Sequence, residues 1–267
     1  IVSDWLDKEI EMSWMEEYID KSDCGLTFLQ VSGDAVKTIL FGEEQFLKGK
    51  NVRPQFPGRN VGLMFGLESS LHPFIRHPAY KEIAHLSLEE RYQIMKDPEF
   101  KYKLLSQEPD LEAELQQRLA DESNYKTEEE LIKDINVVAK LTANYDTQFI
   151  LGSPPNYEPS KEDSIAYIAS KNGISELEVM YDEMIKNNGT NLIYACFTPY
   201  ENYKLDFVEH LYKFKSSVAG GSDGGAHCGL ICDASMPTTN ISHWGRDRKA
   251  GKKFPLELLI RKQTKDT

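Results

Sequence analysis

Gly220-Gly221-Ser222-Asp223-Gly224-Gly225-Ala226-His227-Cys228-Gly229-Leu230-Ile231-Cys232-Asp233-Ala234 is the stretch on which the reading of this chain turns. Five glycines fall within ten residues, Gly220 to Gly229. Such a run costs backbone entropy, so it marks a place where another group approaches closely or φ must be positive. Ser217 to Ser222 reads as a short strand that runs directly into Asp223. In β/α barrels the C-terminal ends of strands carry the catalytic groups, and Asp223 occupies such an end. His227 follows four residues on, with a second carboxylate, Asp233, beyond it. In the competing reading the loop is merely glycine-rich and Asp223 caps the next helix. Spacing alone leaves the two level.

Working outward, the upstream chain alternates helices with short apolar runs, the pattern of parallel β/α units. Lys8 to Lys21 carries Ile10, Trp14, Met15, Tyr18 and Ile19 at helical spacing and ends at Gly25. Leu26 to Val31 reads as a buried strand. Asp34 to Lys48 is helical again, and Asn51 to Phe56 is a second strand weakened by Pro54, which cannot donate to a ladder. From about Val61 to Glu158 the chain is charged and shows no strand alternation, which predicts a helical insertion. Capping boxes are expected at Ser87–Glu90, Thr127–Glu130, Ser160–Asp163 and Ser175–Glu178. The last opens a helix that should stop at Asn187-Asn188-Gly189. Asn191 to Phe197 is a strand candidate and Leu205 to Lys213 a helix. The division expected is β/α units over 1–60, the insertion over 61–158, and closing β/α units with the Asp223 motif over 159–267.

Composition sets outer limits. The 267 residues are 40% hydrophobic and 28% charged, ordinary for a globular chain large enough to bury a core. The net charge of −12 argues against a nucleic-acid groove, which needs a basic footprint. No apolar stretch approaches the roughly 18–20 residues that span a bilayer. Cys24, Cys196, Cys228 and Cys232 have no framework spacing, which fits small buried residues in a reducing compartment, and the cytoplasm is the expected location. Both ends read as cuts through a longer protein.

The run Ser222 to Arg248, SDGGAHCGLICDASMPTTNISHWGRDR, resembles the N-acyl-D-amino-acid deacylase (D-aminoacylase-like) branch of the amidohydrolase superfamily. So do Pro255-Leu256-Glu257, Arg261-Lys262-Gln263-Thr264, Gly62 to Glu68 and His77-Pro78-Ala79-Tyr80. The resemblance implies α/β architecture, the later strands of a (β/α)8 TIM-type barrel, and hydrolysis of a non-peptide C–N bond with one or two divalent metals, usually zinc. It implies that Asp223 lies at the metal and acts as acid–base. A metal lowers the pKa of bound water to ~7, and a carboxylate within reach can pass that proton to the departing amine. The implied partner is a small N-acyl amino acid or related amide.

The family's first strand carries a His-x-His metal pair, and this chain has none. The chain alone is therefore expected to be inactive. Ser3-Asp4 and Gln30 stand where many relatives end two strands with histidine ligands. Gln30 would hydrogen-bond substrate, against the blander reading of an amide at the core edge. Asp4 would bind metal with an upstream partner or simply cap the following helix. His227 would orient substrate or join the metal shell, against a histidine satisfied by the loop backbone. Arg246 and Arg248 would pair with a substrate carboxylate, with structural ion pairs to Asp247 or Asp233 the favoured alternative. Cys228 and Cys232 read as small core residues rather than a metal pair. His72, His77 and His85 are assigned no chemistry. A half barrel leaves strand edges open and predicts self-association. The rival class is a non-catalytic binding or scaffold protein that kept the fold and lost the metals; a relative acting on a cyclic amide or amidine is a third reading.

Overall fold

The computed structural model describes residues 8–22, 24–29, 35–121, 123–196, 200–222, 224–225, 228–231 and 233–267. The chain is mixed α/β and divides into two compact units, Ile1–Gly62 with Cys196–Thr267, and Leu63–Ala195.

The first unit opens with α1 (Lys8–Lys21), β1 (Leu26–Leu29), α2 (Ala35–Leu47) and β2 (Val52–Pro57). β1 and β2 run parallel, with Leu26 opposite Val52 and Leu29 opposite Gln55. Side chains alternate across a strand, and here the alternation is plain. Leu26, Phe28 and Val52 turn to one face and bury against Met15 and Ile19 of α1 and Phe41 of α2. Gly42 lets α2 lie close to the sheet, because a Cβ there would meet Pro54 Cγ at 2.3 Å.

The second unit is mostly helical. It contains β3 (Gly62–Phe65), α3 (Pro78–Ile83), α4 (Leu88–Met95), α5 (Pro98–Leu105), α6 (Leu111–Leu119), α7 (Glu128–Thr142), β4 (Gln148–Ile150), α8 (Ile165–Asn172), α9 (Glu176–Met184), the short α10 (Lys186–Gly189) and β5 (Ile193–Cys196). Full capping boxes start α4 at Ser87–Glu90 and α7 at Thr127–Glu130, and a third forms at Ser160–Asp163. At α9 only half of the box forms: Ser175 accepts from the Glu178 amide. The expected stop is present as three consecutive left-handed residues, Asn187 (φ 49), Asn188 (φ 58) and Gly189 (φ 82).

Two strands lie where the sequence predicts only helices and irregular chain. β3 is buried at all four positions, so it carries no polar alternation to betray it. β4 is three residues long. They join β5 in a sheet of order β3-β5-β4, with β4 antiparallel to β5 and Phe149 opposite Tyr194. The second unit thus runs to Ala195, past residue 158 where the sequence reading ended the insertion.

The chain then returns to the first unit with α11 (Asp206–Leu211), β6 (Val218–Gly220), α12 (Met236–Ser242), a π-helical turn over His243–Asp247, and α13 (Leu256–Gln263). β6 lies parallel beside β2, with Gln55 opposite Val218 and Pro57 opposite Gly220, which gives the order β1-β2-β6. Pro54 falls one residue before this pairing begins, so the middle strand tolerates it. Among the described residues the strands form these two three-stranded sheets and no closed barrel.

Two charged side chains hold the entrance to β6. Glu43 of α2 accepts from the Ser216 amide at 2.8 Å and hydroxyl at 2.6 Å, and from the Lys215 amide at 3.2 Å. Lys262 of α13 is buried and donates to the carbonyls of Phe214 and, at 2.7 Å, Ser217. Burial pushes the Lys262 ammonium down to about 8, the nearby Asp266 carboxylate opposing the shift. Trp244, fully buried, donates from Nε1 to the Gly58 carbonyl at 2.6 Å. Among the described residues, no helix is long and apolar enough to cross a membrane.

Candidate functional site

β6 ends at Gly220, and Gly221 follows with φ 76, the left-handed conformation that its position in the glycine run predicts. Asp223, the expected acid–base, lies outside the described residues, as do Gln30, His227, Ser3-Asp4 and Cys232. Arg246 is exposed and grips the adjacent Asp247 with two hydrogen bonds, 2.6 Å from Nε and 2.9 Å from Nη2. That bond to Asp247 raises the pKa of the Arg246 guanidinium above its usual range. Arg248, in contrast, is fully buried. It pairs with Glu209 at 2.6 Å and Asp206 at 3.1 Å and lies over the Trp244 ring at 4.3 Å.

The downstream end of the motif is anchored from the chain just after β2. Asp233 is buried and pairs with the fully buried Arg59 at 2.9 Å; Arg59 also donates to Ser235 Oγ and the Asn60 carbonyl, each at 3.3 Å. A buried pair of this kind holds only while both partners are present. Cys228, expected in the core, is exposed, because the chain turns there over Cys228 to Leu230 instead of packing a helix. Cys24 is also exposed, and Cys196 is buried.

Beside the glycine run is a cleft of ≈ 530 Å³. Thr27, Arg53 and Gln55 line it, with Gly220, Gly221 and Ser222 completing its upper part. Gln55 Nε2 donates to Thr27 Oγ1 at 2.9 Å, and the Thr27 hydroxyl donates to the Arg53 carbonyl at 2.7 Å. The glycine at 220 makes room for this arrangement, since a Cβ there would meet Gln55 Oε1 at 2.5 Å. Closed barrels fill the corresponding interior with layers of branched apolar side chains. Here Thr27, Arg53 and Gln55 stand among the lining residues.

None of Thr27, Arg53 and Gln55 was singled out from the sequence, although a signal existed. Leu26-Thr27-Phe28 and Val52-Arg53-Pro54-Gln55-Phe56 alternate apolar with polar, the mark of a strand with one wetted face. Among the side chains of the cleft's described lining there is no carboxylate, imidazole or thiol, and there is a guanidinium. These residues do not fit a divalent metal, and no group of three metal-ligand side chains occurs among the described residues. A metal here would need Asp223 and further ligands beyond this set. No family model, curated protein or solved structure matches this chain.

Proposed function

We propose that this chain contributes Asp223 to a site that hydrolyses a non-peptide C–N bond, the N-acyl-D-amino-acid type of amide being the substrate class. The observation that supports the reading is the placement of the glycine run. It follows the C-terminal end of a strand, β6, which lies parallel to β2 and lines an open cleft. Catalytic groups of β/α folds gather at that end of the strands. In this reading the Asp223 carboxylate takes a proton from the attacking water and returns it to the nitrogen of the departing amine. Five glycines about Asp223 leave its surroundings open to a bulky acyl group.

The second reading is a binding protein of amidohydrolase type without turnover, for which the described lining of the cleft supplies polar contacts in Thr27, Arg53 and Gln55. Protein expressed from the complete coding sequence separates the two. Bound zinc, together with amine release from N-acetyl-D-methionine that Asp223→Asn abolishes, supports the hydrolase. Metal-free protein with no amine release removes the hydrolase and leaves the binding protein.

A further inference from the structure

Arginine rarely goes without an acceptor, because its five N–H groups lie in a fixed fork and stay charged at all relevant pH. Every other arginine of this chain donates to a carboxylate, carbonyl or hydroxyl oxygen. Arg53 has no such acceptor among the described residues. Its guanidinium carbon lies 4.4 Å from the centre of the Phe46 ring, a cation–π contact that steadies the group while its N–H edges remain unbonded. It lines the ≈ 530 Å³ cleft, whose described lining contains no acidic side chain.

We infer that this cleft binds a small carboxylate, with Arg53 as its charge partner and Gln55 as a second, neutral contact. Gln55 uses one amide hydrogen on Thr27, which leaves the other hydrogen and Oε1 for a ligand. A guanidinium matches a carboxylate with two parallel hydrogen bonds, and the Gln55 amide matches a secondary amide. An N-acyl amino acid carries both groups. Naming that ligand rests on the hydrolase reading; the carboxylate site itself does not.

The probes are N-acetylglycine and its neutral counterpart N-acetylglycinamide, titrated into the chain by calorimetry. N-acetylglycine should bind saturably and the glycinamide at least tenfold more weakly. Arg53→Met should weaken N-acetylglycine by ~10- to 100-fold, the usual reach of a charge-assisted pair. Arg53→Lys, which keeps the charge and the stem over Phe46 but loses the fork, should fall between. Circular dichroism of each variant guards against misfolding, and if the Met variant unfolds the Lys variant carries the test. Equal binding of the two probes, unchanged binding in a folded Arg53 variant, or no saturable binding at all overturns the inference. Binding through Arg53 by a protein without hydrolase activity overturns only the hydrolase. Hydrolysis unaffected in KM by Arg53→Met overturns only the carboxylate site.

Discussion

Lowering the pH from 8 to 5 should destabilise the helical unit through one imidazole. His72 is 1% exposed and caps the turn Pro73–Arg76, its Nδ1 accepting from the Phe74 amide at 3.3 Å. Burial, with smaller contributions from the Arg91 and His77 charges, pushes its pKa from 6.5 down to about 3. The folded state therefore excludes a proton that the unfolded chain binds. Stability is full above the unfolded value of 6.5 and is lost as pH falls from there toward 3. Each pH unit in that window costs about 1.4 kcal/mol, so the loss at pH 5 is about 2 kcal/mol. Protonation would also remove the lone pair that caps the turn.

The control is His72→Asn, whose side-chain oxygen can cap the same amide and does not titrate near neutrality. Its smaller side chain adds a constant offset, so the quantity of interest is how the wild-type-minus-variant difference changes with pH. Urea unfolding read by far-UV circular dichroism is the assay. Far-UV circular dichroism suits the event better than tryptophan fluorescence, because the described tryptophans, Trp14 and Trp244, both belong to the first unit. A wild-type-minus-variant difference that stays constant between pH 8 and pH 5 would refute the reasoning. His77, also buried and lowered chiefly by desolvation, should add to the acid loss in wild type and variant alike.

Two further predictions concern the anchor of the motif. Arg59→Met leaves Asp233 buried without its cation and should cost about 3–5 kcal/mol, measured as a lowered urea midpoint in Trp244 fluorescence; a loss under 1 kcal/mol would mean that solvent reaches Asp233. Gly58→Ala would place a methyl 1.2 Å from Oδ1 of the buried Asn240, so Asn240 or the backbone must shift. An overpacking cost of about 1–3 kcal/mol is expected, and a neutral result would show that Asn240 has another rotamer open to it.

The first unit was legible because its elements obey local rules. α1, β1, α2 and β2 fall within a few residues of the ranges their apolar periodicity predicts, and β6 fills the middle of the predicted Ser217–Ser222 strand. Helix starts were equally readable, since a hydroxyl three residues before a carboxylate is a self-contained signal. The pairing of β5 was not. It depends on β4, which precedes it by more than forty residues and is too short to show a period. The ion pairs were half legible. Arg246 takes its sequence neighbour Asp247, as expected, whereas Arg59 with Asp233 and Arg248 with Glu209 join residues far apart in the chain. The cleft is written in the alternation of β1 and β2, which puts Thr27, Arg53 and Gln55 on one face, and the glycine run carries no trace of it.

β2 and β6 are hydrogen-bonded neighbours, yet the whole second unit is threaded between them. That unit leaves the first through β3 and returns through β5, two strands adjacent in one sheet. Its ends are therefore tied together as soon as it folds. For the first unit this shortens an excursion of well over a hundred residues to a connection of a few, and loop-closure entropy falls accordingly. On the ribosome the order follows from the topology: β1 and β2 emerge early and wait, the insert folds on its own, and only then does β6 complete the sheet. A mutation that slows the insert should thus show up as aggregation of a sheet it does not touch.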